Sequence, residues 1–107
     1  MKLRVEQTVT ADGICIAVAG EVDAYTAPQM KAALLEAVSR HRSVAVDLAA
    51  VTFMDSQGLA VLLRARQEAE SRGGSLRLER VPGRVSKLLQ ITALESLFII
   101  DSSTDDG

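Results

Sequence analysis

The chain has 107 residues, 48% of them hydrophobic and 24% charged, and a formal net charge of -2. Domains cluster near about 100 to 150 residues, so this length is one domain, 1–107, apolar enough to fold alone and too poor in glycine and proline for a disordered or fibrous chain. Only 3% of residues are aromatic and none is Trp, which removes the stacking surfaces of single-strand nucleic-acid binders, while one cysteine, Cys15, excludes an internal disulfide framework or a zinc ribbon.

At the N-terminus, Met1-Lys2-Leu3-Arg4-Val5-Glu6 breaks any signal-like apolar core with charge. No run approaches the ~20 apolar residues of a spanning helix. The expected setting is cytoplasmic, with no membrane insertion. From Leu3 through Val5 to Val9 apolar and polar residues roughly alternate, predicting a strand with one wet face. Asp12-Gly13 marks a turn, and Ile14-Cys15-Ile16-Ala17-Val18-Ala19 is apolar in both phases, predicting a second strand covered on both faces and paired with the first as a hairpin. Thr26-Ala27-Pro28-Gln29 reads as a helix start with Thr as cap, Pro in the first turn and Gln placed for a capping box. Met30, Leu34 and Val38 continue that helix to Arg40-His41-Arg42, where cations suit the negative dipole end.

Val44-Ala45-Val46-Asp47-Leu48 predicts a buried third strand, and Ser56 to Arg72 a second helix with Leu59, Leu62, Leu63 and Arg66 on one stripe and Gly73-Gly74 as its stop. Ser75 to Glu79 gives a fourth strand. Pro82 opens a third helix carrying Val85, Leu88, Leu89 and Ile91, and Leu97-Phe98-Ile99-Ile100 a last strand before a polar tail, 101–107, expected to be disordered. An initial hairpin followed by alternating helices and strands implies an α/β fold. Its sheet of about five strands is mixed but mostly parallel, with right-handed crossovers and the first strand as antiparallel edge.

The segment Phe53-Met54-Asp55-Ser56-Gln57-Gly58-Leu59-Ala60 lies where the third strand's carboxyl end hands over to the second helix, the place where open parallel sheets bind ligands. A Ser at a helix N-terminus sits among free backbone N–H groups and a positive dipole end, which tolerate a phosphate. Gly58 costs about 1 kcal/mol inside a helix relative to Ala, so it implies that something approaches the backbone closely. From these residues alone Ser56 is equally a plain helix cap, and Asp55 either the cap itself or a group that orients Ser56.

Asp55-Ser56-Gln57-Gly58-Leu59-Ala60-Val61-Leu62 resembles the Asp-Ser-Ser/Thr-Gly-Leu-Gly-Val-Leu signature of anti-sigma factor antagonists, which carry the sulfate transporter and anti-sigma factor antagonist (STAS) domain. Gly20-Glu21-Val22-Asp23 resembles the family's Gly-Glu-Leu/Ile-Asp turn, and Val81 to Phe98 its third helix and last strand. The resemblance implies a binding module, not an enzyme, with Ser56 as the phosphorylated serine. Its implied partners are an anti-sigma factor that is also a serine kinase, which alone carries the ATP, and a serine phosphatase that restores the unphosphorylated form. The chain itself needs no cofactor or metal. The implied partner contacts are Glu21, Asp23, Asp55, Ser56, Gln57, Gly58, Ala60 and Val61. Gln57 departs from the usual Ser or Thr and removes a second phosphoacceptor; Ala60 departs from the usual Gly and adds a methyl. Glu21 and Asp23 read equally as a solvated turn.

At about 100° per residue Val61 falls opposite the stripe of Leu59, Leu62 and Leu63 and is expected to face water, as a partner contact or an ordinary exposed Val. Between Arg64 and Lys87 seven basic residues (Arg64, Arg66, Arg72, Arg77, Arg80, Arg84, Lys87) face Glu68, Glu70 and Glu79, an excess suited to an acidic partner. Dispersal over three elements without aromatics argues against nucleic acid. His41 precedes the third strand and Ser56 follows it, so they cannot form a catalytic pair. The alternative within the resemblance is a STAS subunit of a membrane-associated transport or stress-sensing assembly, docking without phosphorylation.

Overall fold

A computed structural model describes residues 2–101. Strands β1 (Arg4–Val9) and β2 (Ile14–Val22) form the hairpin. They are followed by α1 (Ala27–Arg40), β3 (Ser43–Met54), α2 (Ser56–Ser71), β4 (Ser75–Glu79), α3 (Gly83–Ile91), a 3₁₀ turn (Glu95–Leu97) and β5 (Ile99–Asp101). The sheet order is β1-β2-β3-β4-β5, with β1 antiparallel to β2 and the other three pairs parallel. The predicted class, order and antiparallel edge are all present. The tail expected at 101–107 lies outside the described residues except for Asp101, which closes β5.

Because the parallel strands follow one another across the sheet without reversal, right-handed crossovers place every helix on the same face. That face carries Ile14, Ile16 and Val18 of β2, Val44, Val46 and Leu48 of β3 and Leu76 and Leu78 of β4, all buried with Met30, Leu34, Leu62, Val85 and Leu89 of the helices. The opposite face is therefore uncovered, and the expectation that β2 is covered on both sides is corrected: Cys15, Ala17 and Ala19 remain half-buried. Their apolarity in both phases reflects small residues on an open face, not a second helical layer.

Other boundaries differ for local reasons. β3 is longer than the apolar run 44–48, because it keeps pairing with β2 through Ala50, Val51, Phe53 and Met54 across two register shifts. The last strand starts later, since residues 95–97 wind into the 3₁₀ turn and Phe98 turns inward. In α3 only Val85 and Leu89 are buried, and Ile91 is exposed at the helix end. Gln29 completes no capping box. Its amide instead donates to the Leu3 carbonyl at 3.1 Å and fastens α1 to the start of the hairpin.

Candidate functional site

The site forms at the carboxyl ends of β2 and β3. Register places Glu21 beside Phe53 and Val22 beside Met54, and the Asp55 N–H donates to the Val22 carbonyl at 3.2 Å, so the β3–α2 junction is held against the end of β2. Asp55 is the N-cap: its carboxylate accepts the Gln57 N–H at 2.9 Å. That settles the two readings of the pair. Ser56 is relieved of capping and stands exposed as the first residue of α2, its hydroxyl bonded to no described residue.

Gly58 is buried, and the close approach that its sequence position implied comes from within the chain. A Cβ there would stand 2.7 Å from both the Met54 Cγ and the Val22 Cγ1. The ends of β2 and β3 thus press on the first turn of α2, and this internal packing by itself accounts for a glycine at position 58. Val61 is a correction, being buried and not facing water. The buried arc of α2 runs through Gly58, Leu59, Val61, Leu62, Ala65 and Ala69 because α1 packs on that flank of the helix as well as the sheet beneath it. Leu63 and Arg66, expected inside, fall at the margin and are half-exposed. Gln57 and Ala60 are exposed.

Asp23 builds the turn into α1. Its carboxylate accepts the N–H groups of Tyr25 at 2.9 Å and Thr26 at 3.1 Å. The Thr26 hydroxyl in turn donates to the Glu21 carbonyl at 2.7 Å and accepts the Asp23 N–H at 3.0 Å. The Thr26 amide foremost, and after it the Tyr25 amide, hold the Asp23 carboxyl below its ordinary range although desolvation works in the opposite direction. Glu21, Asp23 and Asp55 thus all belong to the carboxyl ends of β2 and β3, from which α2 starts at Ser56.

Beyond Ser56, a groove of about 430 Å³ runs between α1 and α2, lined by Gln57, Ala60, Val61 and Arg64 on one side and by Ala27, Pro28 and Lys31 on the other. His41 closes α1 at the opposite end of the sheet, with β3 between it and Ser56, so no Ser–His pair exists. Among the described residues no group of three or more His, Cys, Asp or Glu is placed to hold a metal. The basic excess between Arg64 and Lys87 is largely neutralised in place: Arg66 pairs with Glu70 at 3.2 Å, Arg72 with Glu68 and Arg77 with Glu79 at 3.0 Å, and Arg80 with Asp47.

Residues 6–100 match the family described as "Mlab, STAS domain". The chain belongs to the STAS domain family. The Anti-sigma-B factor antagonist of Bacillus subtilis (strain 168) is 30% identical to it over 107 residues, 100% of this chain and 98% of that protein. The crystal structure of an anti-sigma factor antagonist from Mycobacterium paratuberculosis aligns with a TM-score of 0.87 at 22% identity, covering 98% of this chain and 90% of the other. The Bacillus cell fate determinant SpoIIAA in its phosphorylated form aligns with a TM-score of 0.70 at 22% identity over 95% and 93% of the two chains. At those identities the two structures establish the fold.

In this STAS domain several exposed groups around Ser56 escape a reading of the sequence. Tyr25 is 94% exposed at the tip of the β2–α1 turn and Phe53 47% exposed at the end of β3, so two of the chain's three aromatic residues stand in solvent on one rim. Tyr25 had a signal, since a large aromatic in a turn after Asp23 belongs to no apolar periodicity. Phe53 had none, because the register shift that turns it outward is invisible in the sequence. Lys31 and Arg64 come from different elements and meet only in the fold.

Proposed function

We propose that this STAS domain is an anti-sigma factor antagonist that binds an anti-sigma factor serine kinase, thereby freeing a sigma factor, and that phosphorylation of Ser56 switches it off. The observation that carries this reading is Ser56 itself, exposed as the first residue of α2 with an unengaged hydroxyl beside a rim of uncovered aromatic side chains. Its hydroxyl oxygen attacks the γ-phosphorus of ATP held by the kinase, the bond to the bridging oxygen breaks, ADP leaves, and the proton passes to a base of the kinase. Asp55 acts as the cap that fixes the turn. A serine phosphatase reverses the modification. The module acts in the cytoplasm; among the described residues no helix is long and apolar enough to cross a membrane. The relatives aligned along its length are named as regulators, not enzymes.

Phosphate adds about -1.5 to -2 charges at pH 7 to a rim that already holds Glu21, Asp23 and Asp55. Within an interface that charge must also lose its water, so its cost falls on the complex. Incubation with a serine-kinase anti-sigma factor and ATP, followed by intact-mass and peptide analysis, tests the proposal. One phosphate on the wild type and none on Ser56→Ala is expected; a phosphate retained on Ser56→Ala moves the site elsewhere. A rival reading rests on the family match alone, which extends over residues 6–100 and names no kinase. In that reading the domain docks in a membrane-associated transport or stress-sensing assembly, and no kinase labels Ser56.

A further inference from the structure

The groove between α1 and α2 is bordered by two cations that the domain leaves unspent. Lys31 and Arg64 are both exposed and neither lies within ion-pair distance of a carboxylate among the described residues. This sets them apart from Arg66, Arg72, Arg77 and Arg80, each matched to a neighbouring acid. Between the two cations the floor is small and apolar: Ala27, Pro28, Ala60 and Val61. No side chain longer than Val rises from it, so an aliphatic side chain of another molecule can seat there. The groove joins the Ser56 rim through Gln57, the next residue of α2, and Ala60, one turn after Ser56.

Charge is thus arranged in two zones. Glu21, Asp23 and Asp55 place three acidic side chains at the strand ends, where Arg84 also reaches the Thr52 carbonyl at 2.6 Å, and Lys31 and Arg64 make the adjoining groove basic. A partner that covers both must present the reverse pattern, cationic toward the strand ends and anionic toward the groove. We propose that the α1–α2 groove is a second contact zone for the anti-sigma factor, receiving a segment that carries one aliphatic side chain flanked by carboxylates, with Lys31 and Arg64 fixing its register. This rests on the function proposed above. It adds partner contacts, Lys31 and Arg64, that lie away from the phosphorylated residue, and it assigns Ala60, with the small accessible remainder of the buried Val61, to the floor on which the aliphatic side chain rests. Of the run 64–87, Arg64, Arg84 and Lys87 remain outside ion pairs among the described residues, and only Arg64 borders the groove, joined there by a lysine from another helix.

The test measures the affinity of full-length variants, by titration calorimetry, for the kinase that labels Ser56. Lys31→Glu combined with Arg64→Glu should weaken binding by about tenfold or more at low salt and remove most of the salt dependence seen with wild type. Lys31→Arg with Arg64→Lys should restore it. Ala60→Leu, which fills the floor without changing charge, should weaken binding while labelling of Ser56 at saturating kinase persists. Wild-type affinity in the double charge reversal, with Ser56→Asp still unable to bind, overturns the groove and leaves the phospho-switch standing. Undiminished binding of enzymatically phosphorylated wild-type protein overturns the switch itself. Loss of self-association in the double charge reversal, with kinase binding intact, reassigns the groove to a second copy of this chain and also overturns the proposal. Circular dichroism of each variant separates these outcomes from unfolding, and the single Arg64→Gln, a shorter neutral polar side chain on an exposed helix face, repeats the test at lower risk to the fold.

Discussion

Gly58 carries the strongest residue-scale constraint at the site. A new methyl meets Met54 at Cγ, near the root of its side chain, so only a change of its first torsion clears it, and the branched Val22 is stiff about its own first torsion and backed by the sheet. Gly58→Ala should therefore destabilise the domain by about 1–3 kcal/mol through overpacking, and Gly58→Val by more. Denaturant unfolding checks this, and a Gly58→Ala protein as stable as wild type that fails to bind the kinase would return the glycine to the interface. Asp23 makes a pH-dependent contribution. Its folded carboxyl lies below the ordinary Asp value of about 3.9, so the stability it adds is fully present above that value and is lost as pH falls through the lower folded value. Asp23→Asn keeps an acceptor for the Tyr25 and Thr26 amides but cannot titrate. The fall in urea midpoint below pH 4 should be shallower in that variant, and an unchanged acid profile would remove Asp23 from the turn's energetics. Ser56 and Asp55 were legible as a pair in the sequence, yet which of them caps α2 was not, because either side chain can accept the same amide.

At the scale of elements, strands and helices were legible wherever one partner sufficed to define them. Strands β1 and β4 and helix α2 fall within a residue of their expected bounds, while β2 runs three residues past Ala19 to Val22. What escaped depends on a second element. The length of β3 comes from β2, which holds the chain extended past Leu48 up to Met54. The wider buried arc of α2 comes from α1, and it explains why Val61 is inside although it lies off the stripe of leucines. Val61→Ala should accordingly cost about 1–2.5 kcal/mol, the range for removing buried methyl groups that neighbours cannot wholly refill. A cost near zero by chemical denaturation would mean that the α1–α2 packing is loose at that turn. The loss should appear without any change in phosphate incorporation at saturating kinase, since Ser56 lies on the exposed side of the first turn.

For the molecule as a whole, one-sided layering decides how a signal at Ser56 is conveyed. All helices lie on one face of a single sheet, and the strand ends at Ser56 are cross-tied: Asp55 to Val22 through the backbone, Asp23 to Tyr25 and Thr26, Thr26 to Glu21. Such a rim has no second arrangement to move into, for Gly58 is already wedged against Met54 and Val22 and the cap on Gln57 is satisfied within the turn. A phosphate on Ser56 meets the positive end of α2, a favourable effect of about 0.3–1 kcal/mol at an exposed site, and three nearby carboxylates that oppose it through high-dielectric water. These contributions are small and opposite in sign, so the modified domain should keep its fold and its melting temperature to within a few degrees. The change is then carried by surface charge alone. In amide-resolved nuclear magnetic resonance, enzymatic phosphorylation should displace signals from residues 21–26 and 53–60 and leave those of β4, α3 and β5 in place, while affinity for the kinase falls. Shifts spread through β4 and α3, or a melting temperature changed by ten degrees or more, would mean that the phosphate acts by rearranging the domain, and the electrostatic account of the switch would fail.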